Sequence, residues 1–232
     1  MRRITSFRRL SVLPYPRQLT GPIVTDSHRP LLVLGTGNRK KGLELVDLLR
    51  PLGFDLKTLA DFPTAIEVVE DGDRFAANAV LKATQQAVHL GQWVLGEDSG
   101  LAVDALDGAP GIYSARYSGE SATDESNNAK LLSALDEVPL ERRTAHYVCT
   151  AALSDPSGQV RAEVDARCYG RVVRDPAGTA GFGYDPLFEI VEYHRTFGQL
   201  GDAVKTTISH RSRAMRRLTG QLIALRREGA WD

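Results

Sequence analysis

An apolar run at residues 31–34 breaks at Gly35, Thr36, Gly37 and Asn38. Apolar residues then return as Leu43, Leu45, Val46, Leu48 and Leu49 at helical spacing. Strand, tight turn and helix in that order commit the chain to an α/β arrangement, because each helix must bury its apolar stripe against a sheet. Pro51 and Gly53 end the helix, and residues 54–59 read as a short second strand. The Ala-rich stretch 75–90 predicts a second helix, leading through Gly91 into a strand at Trp93, Val94 and Leu95, with Glu97 and Asp98 at its end. Thr123 caps a helix over 124–135, which carries Asp124 and Glu125 in its first turn.

Residues 144–154 and 160–168 read as two strands joined by the turn Asp155-Pro156-Ser157-Gly158. Residues 209–227 form a basic amphipathic helix with Met215, Leu218, Leu222 and Leu225 on one stripe. No repeat or linker divides this body, which reads as one α/β unit, with two lobes about a cleft as one arrangement.

Lysine plus arginine and aspartate plus glutamate number 29 each, so the formal charge is zero. Residues 1–29 hold six arginines and one acid, leaving residues 30–232 with an equal acidic excess. The first segment reads as a flexible basic extension. Its composition suits an organelle transit peptide or an arm with no address, and it lacks the apolar core of a secretory signal. No apolar run is long enough to span a bilayer. Cys149 and Cys168 have no CxxC partner or histidine at ligand spacing, so both read as reduced core thiols in a cytoplasmic protein.

Four groups of residues could carry chemistry. Gly35 to Lys41 places small residues and Arg39, Lys40 and Lys41 at a helix start, which suits a phosphate or serves as an ordinary turn. A dinucleotide fingerprint needs glycine where Lys40 stands, and no GKS or GKT follows, which excludes a Walker loop. Glu70, Asp71, Asp73, Glu97 and Asp98 are hard oxygen donors suited to Mg²⁺. Asp71 and Asp73 also read as solvated loop acids, while adjacent Glu97 and Asp98 must point apart on a strand. Gly181 to Pro186 offers Phe182 and Tyr184 for stacking, and Lys205 to Arg211 supplies cationic donors.

Seven short motifs occur in order: Thr36-Gly37-Asn38 with Lys41 and Glu44; Glu70, Gly72 and Phe75; Asn78-Ala79 with Lys82-Ala83; residues 98–101 (DSGL); residues 110–117 (PGIYSARY); residues 182–186 (FGYDP); and Ser209-His210-Arg211. Over residues 31–225 this pattern resembles the inosine triphosphate pyrophosphatase, or Ham1-like, family of non-canonical purine nucleotide pyrophosphatases. The resemblance implies an elongated mixed central β-sheet flanked by helices, two lobes around a nucleotide cleft, and a homodimer. It also implies Mg²⁺-dependent hydrolysis of ITP, dITP and XTP to the monophosphate and pyrophosphate.

By the same resemblance Thr36, Gly37, Asn38, Arg39, Lys40 and Lys41 hold the triphosphate. Glu70 and Asp98 serve the metal, and Asp98 is the proton acceptor. Ser99, Phe182, Gly183, Tyr184, Asp185, Lys205, His210 and Arg211 contact substrate. Two positions depart from the family's usual pattern: Ala77 stands where a Glu is common, and Glu97 where an Asp is common. Two alternatives fit the same residues. One is a pyrophosphatase for modified pyrimidine or canonical nucleotides; the other is a nucleic-acid-binding module using the basic extension and the C-terminal helix.

Overall fold

The computed structural model describes residues 29–231. The basic extension therefore lies, but for Arg29, outside the described residues. Seven strands form one mixed sheet in the order β2-β1-β3-β4-β5-β6-β7. They are β1 (Leu31–Gly35), β2 (Asp55–Thr58), β3 (Val94–Val103), β4 (Thr144–Ser154), β5 (Val160–Val172), β6 (Phe188–Ile190) and β7 (Arg195–Thr196). β1 runs parallel to both β2 and β3, and every later pairing is antiparallel. Helices α1 (Arg39–Leu49) and α2 (Phe75–Leu90) make the parallel crossovers, and α3 (Asp124–Ala134) joins β3 to β4. After the sheet come α4 (Phe197–Leu200), α5 (Asp202–Ile208) and α6 (His210–Arg227).

The long strands β3 and β4 thread two hydrophobic cores. Leu32, Leu45, Leu49, Leu95, Leu153 and the α6 stripe Met215, Leu218, Leu222 and Leu225 form the first. Leu101, Leu131, Leu135, Phe188 and Phe197 form the second, around Tyr147 of β4. The two cores are the two lobes, and residues 97–100 cross between them.

The structure corrects the expected end of the third strand. β3 continues through Glu97 and Asp98 to Val103, so these acids sit mid-strand. Its continuation carries small residues where other chain segments press close, and so lacks an apolar signature. A Cβ at Gly96 would lie 2.3 Å from the Ala79 carbonyl oxygen of α2, and one at Gly100 2.3 Å from Ser114 Oγ. β5 likewise runs four residues past Cys168. Both cysteines are buried free thiols, as expected. No helix among the described residues is long and apolar enough to cross a membrane.

Candidate active site

β1 pairs with β3 only as far as Gly35 opposite Gly96. Beyond that point β3 has an open edge at residues 97–100, and the turn from Thr36 to Asn38 stands beside it. This is the carboxyl end of two parallel strands, where α/β sheets commonly accept ligands. Asn38 caps α1: its Oδ1 accepts the Lys41 backbone N–H at 3.1 Å, and its own N–H donates to Thr36 Oγ1. A Cβ on Gly37 would meet no atom within 4 Å, so the backbone there lies open to a ligand.

Alternation along β3 sends Glu97 and Ser99 to the α6 face and Asp98 to the α2 face. On the α2 side Lys82 Nζ lies 3.0 Å from Asp98 Oδ1 and 3.0 Å from Glu70 Oε2. Asn78 donates to Asp98 Oδ2 at 3.3 Å and accepts the Gly72 N–H at 2.9 Å, fastening the acidic loop to the strand. Burial raises the Asp98 pKa above the ordinary carboxylate value, with Lys82 and Lys41 pulling the other way. Burial would lower Lys82, but Asp98, Glu70 and Glu97 more than offset it, so the ammonium stays charged. Asp71 and Asp73 are exposed loop acids.

On the other face, fully buried Glu97 receives Arg211 Nε at 3.2 Å and Nη2 at 3.0 Å through Oε1. Its Oε2 has no hydrogen-bond partner, only the Lys41 charge at 3.5 Å. Burial pushes the Glu97 carboxyl up, and Arg211 and Lys41 together bring it well below its usual range. Arg211 also pairs with Glu44 and donates to Ser99 Oγ at 2.8 Å. Glu44 in turn lies 2.7 Å from Lys205 Nζ, which reaches Asp185 Oδ2 at 2.6 Å. Alternating buried charges thus run from Lys41 to Asp185 along one wall of the cleft.

The cleft has a volume of ≈ 150 Å³ and is lined by Lys41, Ser99, Phe182, Tyr184, Lys205, His210 and Arg211, among others. Lys205 Nζ stands 4.1 Å over the Phe182 ring. The turn that presents Phe182 begins at Gly181, whose φ of +76° suits glycine; a Cβ there would also strike Asp185. His210 and Arg211 belong to the first turn of α6, with Ser209 as the cap. Burial first, then Arg211 and Lys205, depress the His210 pKa far enough to keep the imidazole neutral. Its Nδ1 is buried without a hydrogen-bond partner.

The structure gathers Asn38, Lys41, Ser99, residues 182–185, Lys205, His210 and Arg211 around this cleft, whereas Gly37 and Glu70 line a separate recess with Lys82, and Thr36 and Asp98 line neither. Three more of the expected residues differ. Arg39 is exposed and does not line the cleft. Lys40 pairs with Asp124 at 3.0 Å across the cleft mouth. Asp185 is enclosed by the donors Lys205, Phe182 N–H and Tyr147 Oη, so it braces the aromatic turn from within. Lys82, Glu44 and Tyr147 received no role from sequence reasoning, and Glu97, read there as an oxygen donor suited to Mg²⁺, instead pairs with Arg211 and Lys41 on the opposite face from Asp98. For Lys82 and Glu44 the signal was present, since charged residues in otherwise apolar or small-residue segments need partners.

A two-lobed mixed-sheet α/β protein, with an open phosphate-type turn at one end of its cleft and an aromatic, cation-lined pocket at the other, is a nucleotide-handling class of molecule. The Ham1 family model matches residues 32–221. The chain belongs to the Ham1 family. It is 56% identical over 194 residues to a dITP/XTP pyrophosphatase of Rhodopirellula baltica, covering 84% of this chain and 93% of that one. It is 49% identical to a dITP/XTP pyrophosphatase of Geobacter sulfurreducens, covering 82% and 96%. Among solved structures, a HAM1 protein from Coxiella burnetii superposes with a TM-score of 0.77 at 34% identity, covering 84% of this chain and 99% of that one.

Proposed function

We propose that the chain is a Mg²⁺-dependent nucleoside triphosphate pyrophosphatase that converts ITP, dITP and XTP to the monophosphate and pyrophosphate, thereby clearing non-canonical purines from the nucleotide pool. The enzyme class rests on membership of the Ham1 family and on the named relatives. The observation that carries the chemistry is the convergence of Asp98, Lys82 and Glu70 at the open edge of β3, one strand residue from the cation wall that lines the cleft.

The residues fit a divalent cation. Two carboxylates already converge on one cationic atom, Lys82 Nζ, at 3.0 Å each. Among the described residues no group of three or more such ligands stands together, so an ion on Glu70 and Asp98 would take its remaining ligands from water and substrate phosphates, as Mg²⁺ commonly does. Charge is compatible with this. Lys41, Lys82, Lys205 and Arg211 are each paired with one or more of Glu44, Glu70, Glu97, Asp98 and Asp185, so these groups leave little uncompensated positive charge for a triphosphate. Glu70 and Asp98 would hold the ion, which would supply charge neutralisation on the phosphates.

Asp98 takes a proton from water, and the hydroxide attacks the α-phosphorus as pyrophosphate leaves. Burial suits Asp98 to that task by raising its basicity. Lys41, held by the Ser99 carbonyl at 3.4 Å, lies where the phosphate chain passes the open edge. A 6-keto purine presents an acceptor to Arg211 and Lys205. An adenine amino group would leave those buried donors unmatched.

Pyrophosphate release from ITP, XTP, GTP, dTTP and a modified pyrimidine triphosphate, with and without Mg²⁺, tests class, metal and specificity together. Asp98→Asn should lower kcat by about 10²- to 10⁴-fold, the usual contribution of a general base. Near-normal turnover in that variant removes Asp98 from the role. A homodimer in the cytoplasm belongs to the same proposal, and light scattering on the purified protein tests the dimer.

A further inference from the structure

Tyr147 belongs to neither the phosphate turn nor the acid pair, yet it touches both supports of the base-facing wall. It lies on β4 and is 7% exposed. Its ring stacks almost flat on the His210 imidazole, with centroids 4.6 Å apart and planes 10° from parallel. Its hydroxyl donates to Asp185 Oδ1 at 3.3 Å. Asp185 also receives Lys205 Nζ at 2.6 Å and the Phe182 N–H at 2.8 Å. The ring therefore holds one wall residue directly, and the hydroxyl holds the carboxylate that ties down two others.

Because His210 Nδ1 has no partner inside the fold, no hydrogen bond at that nitrogen fixes the imidazole plane. Stacking must orient it. We infer that Tyr147 is a positioning residue for purine selection, with its ring setting the plane of His210 and its hydroxyl setting the Phe182–Lys205 pair. The inference rests on the nucleotide reading above. A bland role also exists for this side chain, since it packs on Phe188 at 4.7 Å and on Phe197. The two roles separate experimentally.

Tyr147→Phe keeps the ring and deletes the hydroxyl, whereas Tyr147→Leu deletes the ring. In Tyr147→Phe the KM for ITP should rise by about three- to tenfold, the worth of one hydrogen bond, with kcat within a factor of about two because Asp98 lies elsewhere. The kcat/KM preference for ITP over ATP should fall in this variant and fall further in Tyr147→Leu, because the wall that Tyr147 positions reads the 6-position of the base. A core-filling role predicts a lower melting temperature with KM and the ITP-to-ATP preference unchanged in both variants, and that result overturns the inference. Side-chain NMR of His210 gives a second readout. Its imidazole protons should show an upfield ring-current shift in the wild type and in Tyr147→Phe that disappears in Tyr147→Leu. Absence of that shift in the wild type also overturns the inference. If the wild type does not turn over ITP at all, the functional reading fails, while the imidazole shift still decides the positioning.

Discussion

Glu97→Gln is the sharpest test of the charge network, because the substitution preserves shape and removes one buried charge. Glu97 is 0% exposed, takes two contacts from Arg211, at 3.0 and 3.2 Å, and faces Lys41 at 3.5 Å. Removing one partner from a buried pair costs about 3–5 kcal/mol, mainly because the other charge is left uncompensated. At about 2–4 °C per kcal/mol for a chain of this size, Tm should fall by roughly 6–20 °C at pH 7.

The pH dependence carries a further signature. The folded-state pKa of Glu97 lies below its ordinary value of 4.5, so its contribution is fully present above pH 4.5 and is lost as pH falls toward the folded value. The stability gap between wild type and Glu97→Gln should therefore narrow below pH 4.5, by about 1.4 kcal/mol per pH unit. Other carboxylates titrate in both proteins and largely cancel in the difference. Urea unfolding of both proteins from pH 3 to 8 measures the gap. A gap under about 1 kcal/mol at pH 7, or one that does not shrink in acid, refutes the account of Glu97 as the anchor of Arg211.

Lys82→Met removes a charge that holds the Asp98 pKa down, so that pKa should rise further and the acid limb of the pH–kcat profile should move to higher pH. An unmoved limb separates Lys82 from Asp98 chemically. Gly96→Ala puts a methyl 2.3 Å from the Ala79 carbonyl oxygen and 2.6 Å from the Ala83 nitrogen. The expected loss is about 3 kcal/mol in chemical denaturation, the upper range of overpacking, because the struck atoms are backbone. Trp231 stacks on Trp93 at 4.2 Å and donates to the Leu31 carbonyl at 3.2 Å. Trp231→Ala should cost about 2 kcal/mol, read by thermal unfolding, with kcat unchanged because the residue lies outside the cleft.

Periodicity sufficed for the elements that bury an apolar face. The α2 helix, the β4 strand, the Thr123 cap and the α6 stripe all lie where their patterns place them. It failed at residues 96–100, because β3 there is built from Gly, Glu, Asp, Ser and Gly, and its strand character comes from full antiparallel pairing with β4. Lys205 was legible as a cation but not as part of α5, a seven-residue helix with no apolar stripe long enough to register. Tyr147 gave no signal, since an aromatic residue at an inward strand position reads as core, and only the fold shows what lies against its ring and hydroxyl.

The partners of the cations explain how such a site can be both buried and poised. Arg211 is 1% exposed and would be costly there alone, yet Glu97, Glu44 and Ser99 hold its guanidinium through four hydrogen bonds, fewer than its five N–H donors. Lys205 is fixed in the same way by Glu44 and Asp185. Donors oriented before the nucleotide arrives lose little freedom when it binds, so the base meets a wall whose arrangement is already set. The carboxylates that make this possible also cancel the cations' net attraction for phosphate. Fixing the donors and attracting the polyanion are therefore opposed demands on one set of residues, and the cation proposed at Glu70 and Asp98 would reconcile them. The proposal then predicts that Mg²⁺ serves binding as well as turnover. Titration of a non-hydrolysable ITP analogue should show affinity falling by at least about tenfold when the metal is chelated, a loss of about 1.4 kcal/mol. Equal affinity with and without the metal would mean that the cation wall alone recruits the triphosphate.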